Sequence, residues 1–98
     1  MKKEDINLLS EEEQIEIIKD ELWKIKYIKN PSLGVQLTTI NINSYAIRYI
    51  KDPWYEVQLA AIQQNHNYTK QELRFIKRSI TYPDLLELLE LKILACEE

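Results

Sequence analysis

The sequence predicts an all-α domain assembled from repeated helical units, and three observations carry that expectation. Among 98 residues there are one Gly and three Pro, too few for the tight β-turns that need residues tolerating positive φ. Leu, Ile, Glu and Lys are abundant instead, a composition that favours or tolerates helix. The chain also repeats itself: YIKNPSLGVQL, beginning at Tyr27, is followed by YIKDPWYEVQL, beginning at Tyr49.

The elements follow in chain order. Ser10-Glu11-Glu12-Glu13 is a capping box, and it opens a helix expected over 11–29 with apolar residues at Ile15, Ile18, Leu22, Ile25 and Ile28. Asn30-Pro31 and Asp52-Pro53 each place an N-cap residue before a proline at the first helical position, where the missing N–H costs nothing. They predict helices over 31–41 and 53–64, with a shorter one over 44–51 between them. The polar breaks NINS (41–44) and QQNHN (63–67) separate these elements. Thr69-Lys70-Gln71-Glu72 is a second capping box, starting a helix over 70–80, and Tyr82-Pro83-Asp84 restarts the chain into a leucine-rich helix over 84–96.

Sliding the chain against itself by about 22 residues aligns Ile25 with Ile47, Tyr27 with Tyr49, Pro31 with Pro53, Val35 with Val57, Gln36 with Gln58 and Ile40 with Ile62. A helix pair of that size buries no apolar face alone, so neighbouring units must share a core. Val35, Leu37, Ile40, Val57, Leu59, Ala60 and Ile62 are expected between layers. The domain divides into an acidic N-terminal cap (1–29), two units (30–51 and 52–80) and a Leu-rich C-terminal helix (81–98).

Asp52–Lys77, DPWYEVQLAAIQQNHNYTKQELRFIK, resembles the variant leucine-rich repeat, in which D-P-x-x-x-V-R-x-A-V-A-x-N is followed by a short loop and L-x-x-L-A. Asp52, Pro53, Val57, Ala60, Ala61, Asn65, Leu73 and Ile76 stand at the matching positions, with Gln58 in place of the usual arginine. The unit is also similar to bacterial and phage repeats of the YIKNPSEEVQLAAVKQN type. The resemblance covers about half the chain and implies a stacked, superhelical α-repeat used for binding, without catalytic residues. The iron–sulfur cysteines found near some variant leucine-rich repeats are absent. The expected architecture is a short right-handed α-solenoid-like stack of about six helical segments with two tandem repeats.

No apolar run approaches the roughly 18 residues of a membrane span, and the N-terminus lacks the apolar stretch of a signal peptide. Cys96 is the single cysteine, so no internal disulfide forms and a cytoplasmic setting is expected. The net charge of −3 conceals a division. Residues 1–23 carry three Lys against eight acids, residues 24–78 nine Lys/Arg against three, and residues 79–98 one Lys against five. The repeated middle is basic and both ends are acidic.

No catalytic constellation is visible. His66 is the only histidine and sits in a polar loop; Cys96 lies far along the chain from it without a supporting signature. Gly34 alone cannot make a phosphate-binding loop. No metal or cofactor is expected.

Three functions fit these residues. The first is a non-enzymatic protein-binding module presenting Trp54, Tyr55, Gln36 and Gln58, with the aromatics as an exposed anchor. The second is nucleic-acid binding. Lys26, Arg48 and Arg74 occupy equivalent repeat positions, as do Lys29, Lys51 and Lys77, and repetition would set them in two lines suited to a phosphate backbone. The third is a small phage-type inhibitor of a defence or nucleic-acid enzyme. Leu86, Leu89, Leu91 and Ile93 crowd the last helix beyond one core-facing stripe, which points to a homodimer.

Overall fold

Both capping boxes form as the sequence predicts. The computed structural model describes residues 3–64 and 68–96, the side chains of residues 3–5 excepted. Ser10 Oγ accepts the Glu13 N–H while the Glu13 carboxylate accepts the Ser10 N–H, opening α1 (Glu11–Asp20). Thr69 and Glu72 do the same for α4 (Lys70–Lys77). Each such cap stabilises its helix by about 1 kcal/mol. The remaining α-helices are α2 (Leu33–Ile42), α3 (Tyr55–Gln63) and α5 (Pro83–Ala95), and 3₁₀ helices cover Lys3–Leu8, Leu22–Tyr27 and Ser44–Tyr49. The protein is all-α: among the described residues every regular element is helical.

The helix expected over 11–29 is two elements. Glu21 is extended (φ −142°, ψ 100°), so α1 stops at Asp20 and the chain restarts as the 3₁₀ helix Leu22–Tyr27. Asn43 does the same between α2 and Ser44–Tyr49 (φ −157°, ψ 112°), its side chain accepting the Tyr45 N–H. The apolar spacing through Ile28 satisfies a continuous helix equally well, and only the break lets Ile25 and Ile28 enter the same core as Ile18.

The prolines also sit differently. Pro31 and Pro53 precede the N-cap residues Ser32 and Trp54 instead of occupying the first helical turn, a place only Pro83 takes. Their carbonyls have another use. Gln36 Nε2 donates to the Pro31 carbonyl and Gln58 Nε2 to the Pro53 carbonyl, both at 2.9 Å. Gln36 Oε1 accepts the Trp54 N–H (3.2 Å), and Gln58 Oε1 accepts the Thr81 N–H (2.8 Å). Each amide therefore ties the start of its own helix to the approach segment of the next. Gln36 and Gln58 are 1% and 0% exposed, which corrects the expectation that they face a partner. Gln14 and Asn7 work similarly near the N-terminus: Gln14 Nε2 donates to the Ile6 carbonyl, and Asn7 bridges the Tyr27 carbonyl and the Lys29 N–H.

In space α1 packs on α2, α2 on α3 and α3 on α5. The shorter elements make a parallel series: Lys3–Leu8 against Leu22–Tyr27, that against Ser44–Tyr49, and that against α4. The molecule measures 44 × 23 × 17 Å. Val35, Ile40, Val57 and Ile62 are sealed between neighbouring elements, while Leu37, Leu59 and Ala60 are half-buried. Each large aliphatic so enclosed contributes about 1.5–3 kcal/mol.

Helix α5 turns one apolar stripe inward. Leu85, Leu89 and Ile93 are buried because α5 packs on both α3 and α4. Of the expected dimer-forming residues, Leu89 and Ile93 are therefore core, Leu86 is half-buried, and Leu91 is exposed beside Leu94. His66 and Asn65 lie outside the described residues.

Replacing Gln58 by Met keeps its volume but leaves the Thr81 N–H and the Pro53 carbonyl without their buried partner. Urea unfolding should show a loss of about 2–4 kcal/mol, whereas the exposed control Gln71→Met should change stability by under about 0.5 kcal/mol. Equal effects at the two positions would remove the glutamine from its structural role.

Candidate functional site

Helices α2 and α3 contain no Lys or Arg, so all nine basic residues between 24 and 78 fall elsewhere. They lie on Leu22–Tyr27, Ser44–Tyr49, α4 and the segments joining or flanking them. The division has a local cause: α2 and α3 are each flanked by neighbouring α-helices and carry mostly apolar or small side chains. Charge is thereby segregated to one series of elements.

Aromatic rings share that series. Trp23 meets Tyr27 edge-on at 5.7 Å, and Tyr45 meets Phe75 edge-on at 5.6 Å. Cations lie over the rings. Lys26 Nζ is 5.5 Å from the Trp23 ring and 5.6 Å from Tyr27, and Lys24 is 5.8 Å from Trp23. The Arg48 guanidinium lies 4.8 Å from Tyr49 and 5.4 Å from Phe75, and Arg78 is 5.8 Å from Phe75. Each such contact is worth about 0.5–1 kcal/mol at an exposed site and fixes where the charge sits.

Around Phe75 the side chains leave a hollow of about 560 Å³, lined by Tyr45, Arg48, Glu72, Arg74 and Arg78. Among the described residues no carboxylate comes within ion-pair distance of Arg48, Arg74 or Arg78. Lys24 and Lys77, by contrast, are paired with Glu21 (3.2 Å) and Glu90 (2.6 Å). The Tyr45 hydroxyl beside it and the Thr69 N–H that it accepts hold Glu72, the carboxylate in the hollow, below the usual carboxylate range. Burial, then the bond to Glu72, pushes the Tyr45 phenol up to about 12.

A second feature stands at the loops. Trp54 is 47% exposed, yet its backbone is held from beneath by Gln36. It borders two clefts. One, of about 480 Å³, is lined by Lys26, Lys29, Tyr49, Lys51 and Asp52; the other, of about 440 Å³, by Pro53, Tyr55, Glu56, Thr81 and Tyr82. Tyr55 is tied to α5, its hydroxyl donating to Asp84 and its ring meeting Tyr82 edge-on at 5.0 Å.

The two expected lines of charge thus part company. Lys26, Arg48 and Arg74 lie on the ring-bearing series, Lys29 and Lys51 border the Trp54 cleft, and Lys77 is engaged by Glu90. Trp23, Tyr45 and Arg78 were not among the residues singled out from the sequence. Trp23 and Tyr45 stand one repeat apart, so the offset that aligned Tyr27 with Tyr49 contained them too.

Cys96 is half-buried, its Sγ donating to the Tyr68 carbonyl. Among the described residues no group of His, Cys, Asp or Glu is placed to hold a metal ion, and no helix is long and apolar enough to cross a membrane. Comparison with protein-family models, curated proteins and solved structures returns no match.

The Tyr45–Glu72 pair sets a pH dependence with two arms. The raised phenol stabilises the fold fully below its ordinary value near 10, and that contribution is lost as pH rises toward about 12. The lowered Glu72 carboxylate contributes above the ordinary carboxylate range, and its share disappears as pH falls through its folded value. Unfolding midpoints measured across pH should show both arms flattened in Tyr45→Phe. Unchanged arms would mean that the pair is not formed in solution.

Proposed function

We propose that the protein is a non-enzymatic protein-binding module, built as a short right-handed stack of helical repeats. Its partner seats on the loop edge around Trp54. The successive packing of α1, α2, α3 and α5 supports the stack, as do Gln36 and Gln58 making equivalent bonds to successive segments. The observation that carries the binding role is the state of Trp54: a large ring about half exposed on a backbone fixed by a buried amide.

An anchor of this kind loses little conformational freedom on association, and tryptophans so placed dominate interface energies. The surroundings define the partner's chemistry. Lys26, Lys29 and Lys51 on one side suit an acidic group, while Pro53, Tyr55 and Tyr82 on the other suit an apolar side chain. A protein surface presenting both within one short segment satisfies the two clefts together. Gln36 and Gln58 serve this edge only indirectly, by holding the backbone beneath it.

Affinity capture from the native cell, with quantitative mass spectrometry, tests the proposal. Trp54→Ala should lose the specific partner, with affinity falling at least about 30-fold, while Leu91→Ser should retain it. Matched thermal unfolding of both variants guards against a folding defect. If the same partner is captured equally by Trp54→Ala, the edge is not the binding site.

A further inference from the structure

We infer that the series of rings and cations formed by Leu22–Tyr27, Ser44–Tyr49 and α4 is a second binding surface, adjoining the Trp54 edge at Lys26 and Tyr49, and that its ligand is single-stranded nucleic acid. Three features of the surface point there together. The three elements pack side by side in chain order. Every one carries at least one ring that is not buried: Trp23 and Tyr27, then Tyr45 and Tyr49, then Phe75. Every one also has a cation close to a ring, within it or at its C-cap, as Lys26, Arg48 and Arg78 show.

Unpaired bases offer π-faces to such rings, and the strand's phosphates offer charge to the cations between them. Helical-repeat proteins that read one base per unit work on the same spacing logic. A duplex would satisfy the cations but leave the rings idle, because its bases are already stacked on one another. A phosphorylated side chain is a single point of charge and suits arginines converging on one spot. Here three arginines line the hollow around Phe75, but the row of cations and rings continues beyond it to Lys24, Lys26 and Trp23, more than a single phosphoryl group would engage.

The carboxylates facing this surface are few and mostly occupied. Glu21 pairs with Lys24, and Glu72 accepts the Thr69 N–H; Asp20 lies at the border of the adjoining hollow. Arg48, Arg74 and Arg78 remain without a carboxylate partner among the described residues. Guanidinium groups in that condition are free to take phosphate oxygens, and counterions leave when they do.

Fluorescence anisotropy with labelled oligothymidine and oligouridine of about 12 nucleotides tests the inference. At about 50 mM salt both strands should bind, and more tightly than a duplex of equal length or heparin. The plot of log affinity against log salt should fall with a slope of about −3, as four phosphate contacts on a single strand require. In a Trp54→Phe background Trp23 is the remaining tryptophan, and its emission should be quenched as a base stacks on it. Arg74→Gln with Arg78→Gln should weaken binding about 10-fold and reduce the salt slope, and Trp23→Leu should weaken it about 10-fold with the slope unchanged. These side chains are exposed, and matched melting curves confirm folding.

Absence of binding at low salt overturns the inference. So does equal binding of duplex, heparin and single strands with Trp23→Leu indistinguishable from wild type, which would reduce the surface to unspecific charge. Strand binding that persists in Trp54→Ala separates this surface from the proposed protein-binding edge, so either can fail without the other. Strand binding abolished by Trp54→Ala alone would place the ligand on that edge and overturn the assignment made here.

Discussion

Short helices leave many backbone groups without an intrahelical partner, and here several lie in the segments leading into α2, α3 and α5. Two buried glutamines resolve the problem. A glutamine amide can donate and accept at once, so Gln36 and Gln58 each engage the carbonyl at the start of their own helix and the N–H of the next approach segment. An aliphatic residue at either place would pack as well and leave two polar groups stranded. A charged one would carry a desolvation cost with no opposite charge to meet it.

Much of this was legible in the sequence, and the failures have a common cause. Capping boxes at Ser10 and Thr69 depend on residues three apart, and they formed as read. Val35 and Val57, paired by the repeat, are both sealed inside. The break at Glu21 was not visible, because the apolar spacing of Ile15, Ile18, Leu22 and Ile25 fits a continuous helix; comparison with Asn43 at the equivalent place carried the missing signal. Gln36 and Gln58 look like surface residues because isolated glutamine usually is one. Their burial is a property of two units in contact, which no local pattern records. Leu89 and Ile93 were misplaced for the same reason: the apolar width of α5 matches two inner neighbours as well as it matches an external copy.

The electrostatics follow from how the units pack. Glu11, Glu12 and Glu13 lie in the first turn of α1, where they complement the helix dipole. Glu11 also receives the Ser32 hydroxyl, and a Cβ on Gly34 would come within 2.9 Å of its carboxylate, so the chain's one glycine makes room for that contact. Glu11 is therefore engaged at the start of α2, Glu13 in the cap of α1 and Glu16 with Lys19, and at the other end Glu90 engages Lys77. Neither group reaches the arginines around Phe75. A chain with a net charge of −3 thus keeps three arginines, Arg48, Arg74 and Arg78, without a carboxylate partner among the described residues, a separation of charge that solubility alone does not call for.

Comparison of the two repeats shows where local rules give way. Ser32 and Trp54 hold equivalent places, each preceded by proline and each extended, with φ −67° and −69°. Ser32 caps α2 by accepting the Val35 N–H, whereas Trp54 offers α3 no side-chain cap. A Ser at position 54 would be worth about 1 kcal/mol to the helix, and the half-exposed indole returns only part of that by burial. The backbone tolerates the exchange because the Val57 N–H, which a Ser side chain would accept, donates to the Trp54 carbonyl instead, while Gln36 accepts the Trp54 N–H. The Trp54 ring is thereby left about half exposed on a fixed backbone at a position where helix preference favours a capping residue, and the proposed binding role rests on that arrangement.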